Sequence, residues 1–547
     1  MVLRGQGAAA DADGTPLDCA PTVPRKSLST WRLVALVCGP ALGAATWLSA
    51  PPAGLSEPAW RVAGLAGWMV VWWLSEAVPI PATALLPIAV APLAGVAPER
   101  DVAAAYAHPL IFLFLGGFIL AAAMRQSGLH RRVALGLLGR AGSGAAGIVG
   151  GFMAATALLS MWISNTATAI LMYTIATSLL EALGRTGERN RETAAAAESA
   201  APEPATGRPP AGAADRQRVA GPSAAAVAGP KPALERFGLA LMLGIAYAAS
   251  IGGVATLVGT PTNALLASFL DSSYGYTLSF RRWLALGLPF TIVMLPLAWL
   301  WLTRPAFRLA GVRLAGAAEH LAAERERLGP LSRPERFVAV VFALTAAAWV
   351  LRDLLARLTG WPLTDTAVAM LAGLVLLAVP VPGERGRRAL DWAEVEKLPW
   401  GVLVLFGGGL ALAESFNASG LAAWIGGAVA GLEGAPPWLL VLAVTAAVVM
   451  LTEITSNTAT AATFLPLTAA AAVGLGHSPL LLAVPVAIAA SAAFMLPVAT
   501  PPNAIVFGYP GMRVATMAKS GAILNLLAIA LITLLVLVLG GPLLGMD

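Results

Sequence analysis

Apolar residues are gathered into long blocks along this chain. Runs at 31–50, 62–78, 109–124, 145–163, 166–184, 237–258, 283–303, 337–351, 364–380, 399–415, 437–451, 458–474, 479–498 and 520–541 follow one another, joined by short basic or Gly/Pro-bearing links. Several approach the ~20 residues a helix needs to cross a bilayer. Others, such as 81–97, 263–270 and 422–431, are short or broken by Ser, Asn, Thr, Gly or Pro. Broken backbone at membrane depth is tolerated only where it is buried in protein or lines a cavity. The pattern predicts an all-α polytopic membrane protein whose function sits in the broken segments.

Composition agrees. Of 547 residues, 58% are apolar with Gly left out of the count, and 12% are charged, against about 25% charged in soluble domains. A soluble enzyme, a disordered chain, a collagen and a disulfide scaffold are all excluded. Cys19 and Cys38 form no framework, and His108, His130, His320 and His477 are scattered without metal-ligand spacing. The net charge of +6 comes from basic residues lying between apolar runs. That is the signature of cytoplasmic loops and not of nucleic-acid binding.

The basic loops set the topology. Arg125, Arg131, Arg132 and Arg140 follow one run; Arg304, Arg308, Arg313, Arg325, Arg327, Arg333 and Arg336 fill one loop; Arg385, Arg387, Arg388 and Lys397 fill another; Arg513 and Lys519 precede the last run. Placing them all in the cytoplasm, with the tail 1–30, gives a multi-pass cell-membrane protein with its C-terminus outside. The path needs about 11 transmembrane helices plus two re-entrant hairpins. The first run reads as a retained helix and not a removable signal. Residues 186–234 are Ala/Pro/Gly-rich and read as a disordered cytoplasmic insertion.

The chain repeats itself. Phe114-Leu115-Gly116-Gly117-Phe118 returns as Phe406-Gly407-Gly408-Gly409-Leu410, and Ser164-Asn165-Thr166-Ala167-Thr168-Ala169 returns as Ser456-Asn457-Thr458-Ala459-Thr460-Ala461, both 292 positions later. Thr260-Pro261-Thr262-Asn263 matches Thr500-Pro501-Pro502-Asn503 at an offset of 240. The lost spacing is close in size to the insertion. Two related halves, usually inverted, mark secondary transporters.

A single Ser-Asn-Thr in apolar sequence reads as a polar helix–helix contact. Two at symmetric positions, each followed by a Thr-Pro break, read as a site. Each Ser-Asn-Thr is expected at a hairpin tip where a second half-helix begins, since these residues are good N-caps and free N–H groups there attract anions. Each Thr-Pro is expected to unwind a facing helix and free carbonyl oxygens for a hard cation. Residues 153–180, 252–267, 454–474 and 491–507 contain no Lys, Arg or His, and Glu453 is the nearby carboxylate. A multivalent anion held there needs bound cations, because helix ends supply only about half a charge each. Coupled cation–anion symport is the natural reading, with proton coupling through Glu453 as the alternative. Glu453 reads as structural, because one carboxylate in one half breaks the symmetry. Glu76 reads as a helix-end contact, Asp365 as an N-terminal helix charge, and the Gly pairs at 116–117 and 408–409 as close-packing positions.

These motifs resemble the divalent anion/sodium symporter family, which includes bacterial sodium–dicarboxylate symporters and animal sodium–citrate, –dicarboxylate and –sulfate carriers. The stretch Ser491-Ala492-Ala493-Phe494-Met495-Leu496-Pro497-Val498-Ala499-Thr500-Pro501-Pro502-Asn503-Ala504-Ile505-Val506 is similar to the family signature, and Trp73-Leu74-Ser75-Glu76-Ala77-Val78-Pro79 is similar to family sequences. The resemblance runs from about Trp31 to Leu539, outside the tail and the insertion. It implies a homodimer in which a scaffold (31–108 and 283–398) carries a moving transport domain (109–282 and 399–547) in an elevator mechanism. It implies one sodium site on Ser160, Ser164, Asn165 and the Gly259 carbonyl, and a second on Thr452, Ser456, Asn457 and the Ala499 carbonyl. The spacings Ser160–Ser164 and Thr452–Ser456 put both oxygens of each pair on one helical face. It implies that a small anionic substrate meets Ser164, Asn165, Thr166, Thr260 and Pro261 from one half, and Ser456, Asn457, Thr458, Thr500 and Pro501 from the other. The chain departs from the family where Thr262 replaces a second Pro, and the first unwound loop is expected to be less rigid.

The expected function is sodium-coupled symport of a C4-dicarboxylate or a related di- or tricarboxylate. A sodium–sulfate carrier and a sodium-independent dicarboxylate exchanger are the alternatives. An intramembrane enzyme lacks a zinc-ligand pair, paired aspartates or a Ser–His arrangement.

Overall fold

The computed structural model describes residues 30–545 apart from 141, 143, 200–230, 385 and 429–433. The expected tail 1–30 lies, but for Thr30, outside the described residues, and so does most of the expected insertion. The described part is helical, with two isolated β-bridges and no strand.

The first half opens with α1 (Thr30–Leu48), α2 (Glu57–Ser75), the short α3 (Ile80–Thr83), α4 (Leu86–Val90) and α5 (Glu99–Ala105). It continues with α6 (Pro109–Ser127), α7 (Leu129–Leu138), α8 (Ala145–Ser160), α9 (Asn165–Ser199), α10 (Lys231–Val254), α11 (Pro261–Tyr274) and α12 (Phe280–Trp301). After α13 (Ala317–Glu326), α14 (Arg333–Thr359), α15 (Asp365–Ala378) and α16 (Trp392–Glu396), the second half runs through seven more helices. These are α17 (Trp400–Ser419), α18 (Leu421–Ala428), α19 (Pro437–Thr452), α20 (Asn457–Gly474), α21 (Leu480–Ala489), α22 (Pro501–Phe507) and α23 (Val514–Leu544). Helices α17 to α23 repeat α6 to α12 one for one, at the offsets the motifs gave.

Among the described residues, eight helices are long and apolar enough to cross a membrane. Others are shorter: α8 and α19 have 16 residues each, a rise of about 24 Å, short of the ~30 Å hydrocarbon core. Helix α10 lies in the middle of the molecule, with 94% of its apolar window buried, whereas α14 has 17% buried and turns Val340, Leu344, Leu354 and Leu358 outward. An apolar helix exposed to this degree needs lipid or another apolar surface around it.

Small residues let the helices close up. A Cβ on Gly116 would collide with the Ala369 backbone of α15, and one on Gly408 with the Ala84 carbonyl. One member of each Gly pair is thus a close-packing position, as read, whereas a Cβ on Gly409 would make only an ordinary contact with Leu265 (3.4 Å). Glu76 ends α2 in the left-handed region (φ 48°) and faces Arg32 at 3.5 Å, a helix-end contact. Asp365 stands in the first turn of α15, and its carboxylate also accepts the Phe280 N–H at the start of α12 (2.9 Å). One expectation needs correcting: α9 runs on to Ser199, so the part of the insertion up to that residue is helical and not loop. Its Glu, Arg and repeated Ala are strong helix formers that continue an established helix without a new nucleus.

Candidate functional site

Helix α8 ends at Ser160, residues 161–164 turn, and α9 begins at Asn165. Likewise α19 ends at Thr452, 453–456 turn, and α20 begins at Asn457. Each Ser-Asn-Thr is therefore at the tip between two helices. The facing breaks are equally regular. Helix α10 stops at Val254 and α11 starts at Pro261, while α21 stops at Ala489 and α22 starts at Pro501. Proline stands at the first helical position, where its missing N–H costs nothing. The N-cap expectation for the Ser-Asn-Thr tips holds at Ser164, which accepts from Ala167 N (3.4 Å), and not at Ser456; at the breaks, Thr500 accepts from Asn503 N (3.2 Å). Thr260 makes no side-chain cap bond.

The two halves draw the same bonds. In the first, Ser160 Oγ lies 2.7 Å from Asn165 Oδ1 and 2.7 Å from the Ala249 carbonyl of α10. In the second, Thr452 Oγ1 lies 2.8 Å from Asn457 Oδ1 and 2.9 Å from the Ala490 carbonyl just past α21. One hydroxyl proton has two acceptors in each case. Turned to the carbonyl, it leaves the hydroxyl lone pairs and the amide oxygen free together.

The unwound loops are held by asparagines that the sequence reading quoted within the motifs without assigning them a role. Asn263 Nδ2 donates toward the carbonyls of Gly253 (3.2 Å) and Thr256 (2.8 Å). Asn503 Nδ2 donates toward those of Ala493 (3.2 Å) and Leu496 (3.0 Å), the same positions of the repeat. Both asparagines are fully buried. The signal was available, since each is the last residue of a Thr-Pro-x-Asn motif. Glycines bring the pieces together. A Cβ on Gly253 would strike the Asn165 amide, and one on Gly259 would strike the Gly253 carbonyl. The chain thus folds Asn165, Gly253 and Gly259 into one knot with Ser160. On the outer side, Gly287 of α12 lies against the Val254 carbonyl and Gly521 of α23 against the Phe494 carbonyl.

The halves are also interlocked, because α9 packs on α22 and α11 on α20 and α21. Thr166 and Thr458 follow their asparagines in the first turns of α9 and α20, and Thr260 and Thr500 are buried at the breaks. Ala499 closes the second loop by donating its N–H to the Leu496 carbonyl (3.2 Å).

Two features break the symmetry. Glu453, next after Thr452, is 3% exposed, and its carboxylate accepts the N–H groups of Phe494 (2.7 Å), Met495 (2.9 Å) and Leu496 (2.9 Å) and the Asn525 amide (2.7 Å). Four donors satisfy the charge where it stands, which is the structural role read from the sequence. The repeat partner of Glu453 is Met161, whose carbonyl accepts the Thr256 hydroxyl. In the first tip, Trp162 stacks on Trp349 of α14 (6.2 Å between centroids) and on Phe280 (5.9 Å). Its counterpart Ile454 is 67% exposed.

The chain resembles known proteins over nearly its whole length. The sodium-dependent dicarboxylate transporter SdcS of Staphylococcus saprophyticus is 38% identical over 529 residues, covering 95% of this chain and 94% of that protein. SdcS of Staphylococcus aureus strain MRSA252 is 37% identical over 528 residues, covering 96% and 94%. The crystal structure of the Alcanivorax borkumensis YdaH transporter aligns with a TM-score of 0.48 at 16% identity, covering 94% of this chain and 98% of that one. The family model described as the sodium:sulfate symporter transmembrane region matches residues 27–546. The chain belongs to that family of membrane transporters and is not an enzyme.

Proposed function

We propose that the protein is a secondary active transporter that carries a C4-dicarboxylate such as succinate, or a related di- or tricarboxylate, inward with sodium. The observation that carries this reading is the duplicated hydroxyl–asparagine–carbonyl pattern at the two tips. One sodium ion is held by Ser160, Ser164, Asn165 and the Gly259 carbonyl. A second is held by Thr452, Ser456, Asn457 and the Ala499 carbonyl. These are all oxygen donors, as a hard cation requires. Ser160 and Thr452 can each hand their proton to a carbonyl within 2.9 Å, so sodium entry leaves no buried donor unpaired. The names of the staphylococcal relatives support sodium as the coupling ion and a dicarboxylate as cargo.

The anion is taken up between the tips, by Ser164, Asn165, Thr166, Thr260 and Pro261 on one side and Ser456, Asn457, Thr458, Thr500 and Pro501 on the other. The captured sodium ions supply the positive charge that the tips' own sequence lacks. Helices α6–α12 and α17–α23 form inverted repeats, with α8–α9 and α19–α20 as re-entrant hairpins. The N-terminus is cytoplasmic and the C-terminus outside. The scaffold segments pair as a homodimer, and the transport segments move as an elevator.

The test is radiolabelled succinate uptake into proteoliposomes with and without a sodium gradient. Uptake that needs sodium and is inhibited by unlabelled C4-dicarboxylates is expected. Equal uptake in sodium-free buffer overturns symport. Sulfate displacing succinate at similar concentration points instead to the sulfate carrier that the family description names.

A further inference from the structure

Thr262 and Ser491 lie in different halves, and their hydroxyl oxygens are 2.8 Å apart. Both are buried, with exposures of 0% and 1%. Thr262 is the second residue of α11; Ser491 stands two residues past the end of α21, in the unwound stretch. Each hydroxyl satisfies the other, which matters because an unpaired buried hydroxyl costs about 1–3 kcal/mol.

The contact occurs once, although the fold repeats. The position matching Thr262 is Pro502, and the position matching Ser491 is Ile251, neither of which has a hydroxyl. Neither half needs the bond for its own fold. Pro261 already starts α11, and Asn263 already holds the first loop. What the bond joins is the start of α11, just past the first unwound loop, and the second unwound loop.

Its neighbours on both sides are site residues. Ser491 follows Ala490, whose carbonyl takes the Thr452 hydroxyl (2.9 Å). Thr262 follows Gly259, Thr260 and Pro261, and the proline ring fixes one backbone torsion of that short path. The link from the second tip to Gly259 in the first unwound loop is therefore the Thr452 hydroxyl, one peptide, one hydrogen bond and three residues. We propose that Thr262 and Ser491 are positioning residues that couple the two sodium sites, so that filling one sets the loop of the other. The inference rests on the symporter reading above. Thr262, standing where the other half has Pro502, is then what gives this chain the coupling bond.

The experiment is the sodium dependence of succinate uptake by the full chain in proteoliposomes, for Thr262→Val, Ser491→Ala, the double variant, and Thr262→Ser. Two coupled sites give a Hill coefficient of up to about 2. Each single variant is expected to bring it toward about 1, with sodium half-saturation raised several-fold and the succinate KM at saturating sodium unchanged. The double variant is expected to add nothing to either single one, and Thr262→Ser is expected to restore the steepness. A variant too slow for uptake is read instead by the sodium-dependent rise of its Tm in detergent, which is expected to lose its steepness in the same way. Unchanged steepness in Thr262→Val and Ser491→Ala overturns the coupling and leaves the symporter reading standing. Sodium-independent uptake by the unaltered chain overturns the symporter reading itself.

Discussion

Asn525 of α23 donates its amide to Glu453 Oε1 at 2.7 Å, in the interior of the molecule and 72 positions along the chain. The same oxygen takes the N–H groups of Phe494 and Met495, and the second oxygen takes that of Leu496. The carboxylate thus nails an unwound loop to both the second tip and the last helix. Replacing Glu453 with Gln puts an NH2 group among these donors, and the expected cost is about 2–4 kcal/mol, as for a buried charged hydrogen-bond acceptor. Thermal unfolding in detergent should show a clear fall in Tm for Glu453→Gln and a smaller one for Asn525→Ala. A Tm equal to that of the parent chain in Glu453→Gln refutes the structural role.

Asn165→Ala and Asn457→Ala remove the amide oxygens at the two tips. Both variants should remain membrane-inserted and monodisperse yet lose at least about tenfold of sodium-dependent uptake, since each removes a ligand expected to serve both cation and anion. Near-normal uptake by either one removes the site assignment for its half.

Asn263 and Asn503 do a different job, holding loop carbonyls and not cargo. Asn263→Leu and Asn503→Leu leave several buried carbonyls without a donor, at an expected cost of about 1–3 kcal/mol each. Because two carbonyls at matching positions lose their donor in each half, with Asn263 also near the Val254 carbonyl (3.3 Å), the two losses of Tm should be of similar size. A large loss for one and none for the other contradicts the equivalence of the halves.

Gly521 lies against the Phe494 carbonyl, whereas a Cβ on Gly427 would meet open space. Backbone cannot yield as a flexible side chain does, so Gly521→Ala should lower Tm strongly and displace the Glu453-bound loop. Gly427→Ala is the matched control, neutral or stabilising by up to about 1 kcal/mol through helix propensity. Tm values that move together in these two variants rule out the close approach.

The sequence alone determined the helical membrane architecture, the two halves and the points where helices stop. Those are local matters. Proline at 261 and 501 fixes a helix start wherever the chain places it, and blocks of apolar residues define helices without reference to neighbours. The offset of 292 between the Ser-Asn-Thr motifs carried through to α8–α9 and α19–α20. Local propensity also extended α9 to Ser199, where composition alone suggested loop. The tertiary structure decided which polar groups meet. Glu453 and Phe494 are 41 positions apart, Ser160 and Ala249 are 89 apart, and Thr262 and Ser491 are 229 apart. No periodicity specifies such pairs, because they form only when packed helices bring distant backbone within hydrogen-bond reach. The symmetry of the repeat was legible in the residues, and the Thr262–Ser491 bond between the two halves was not.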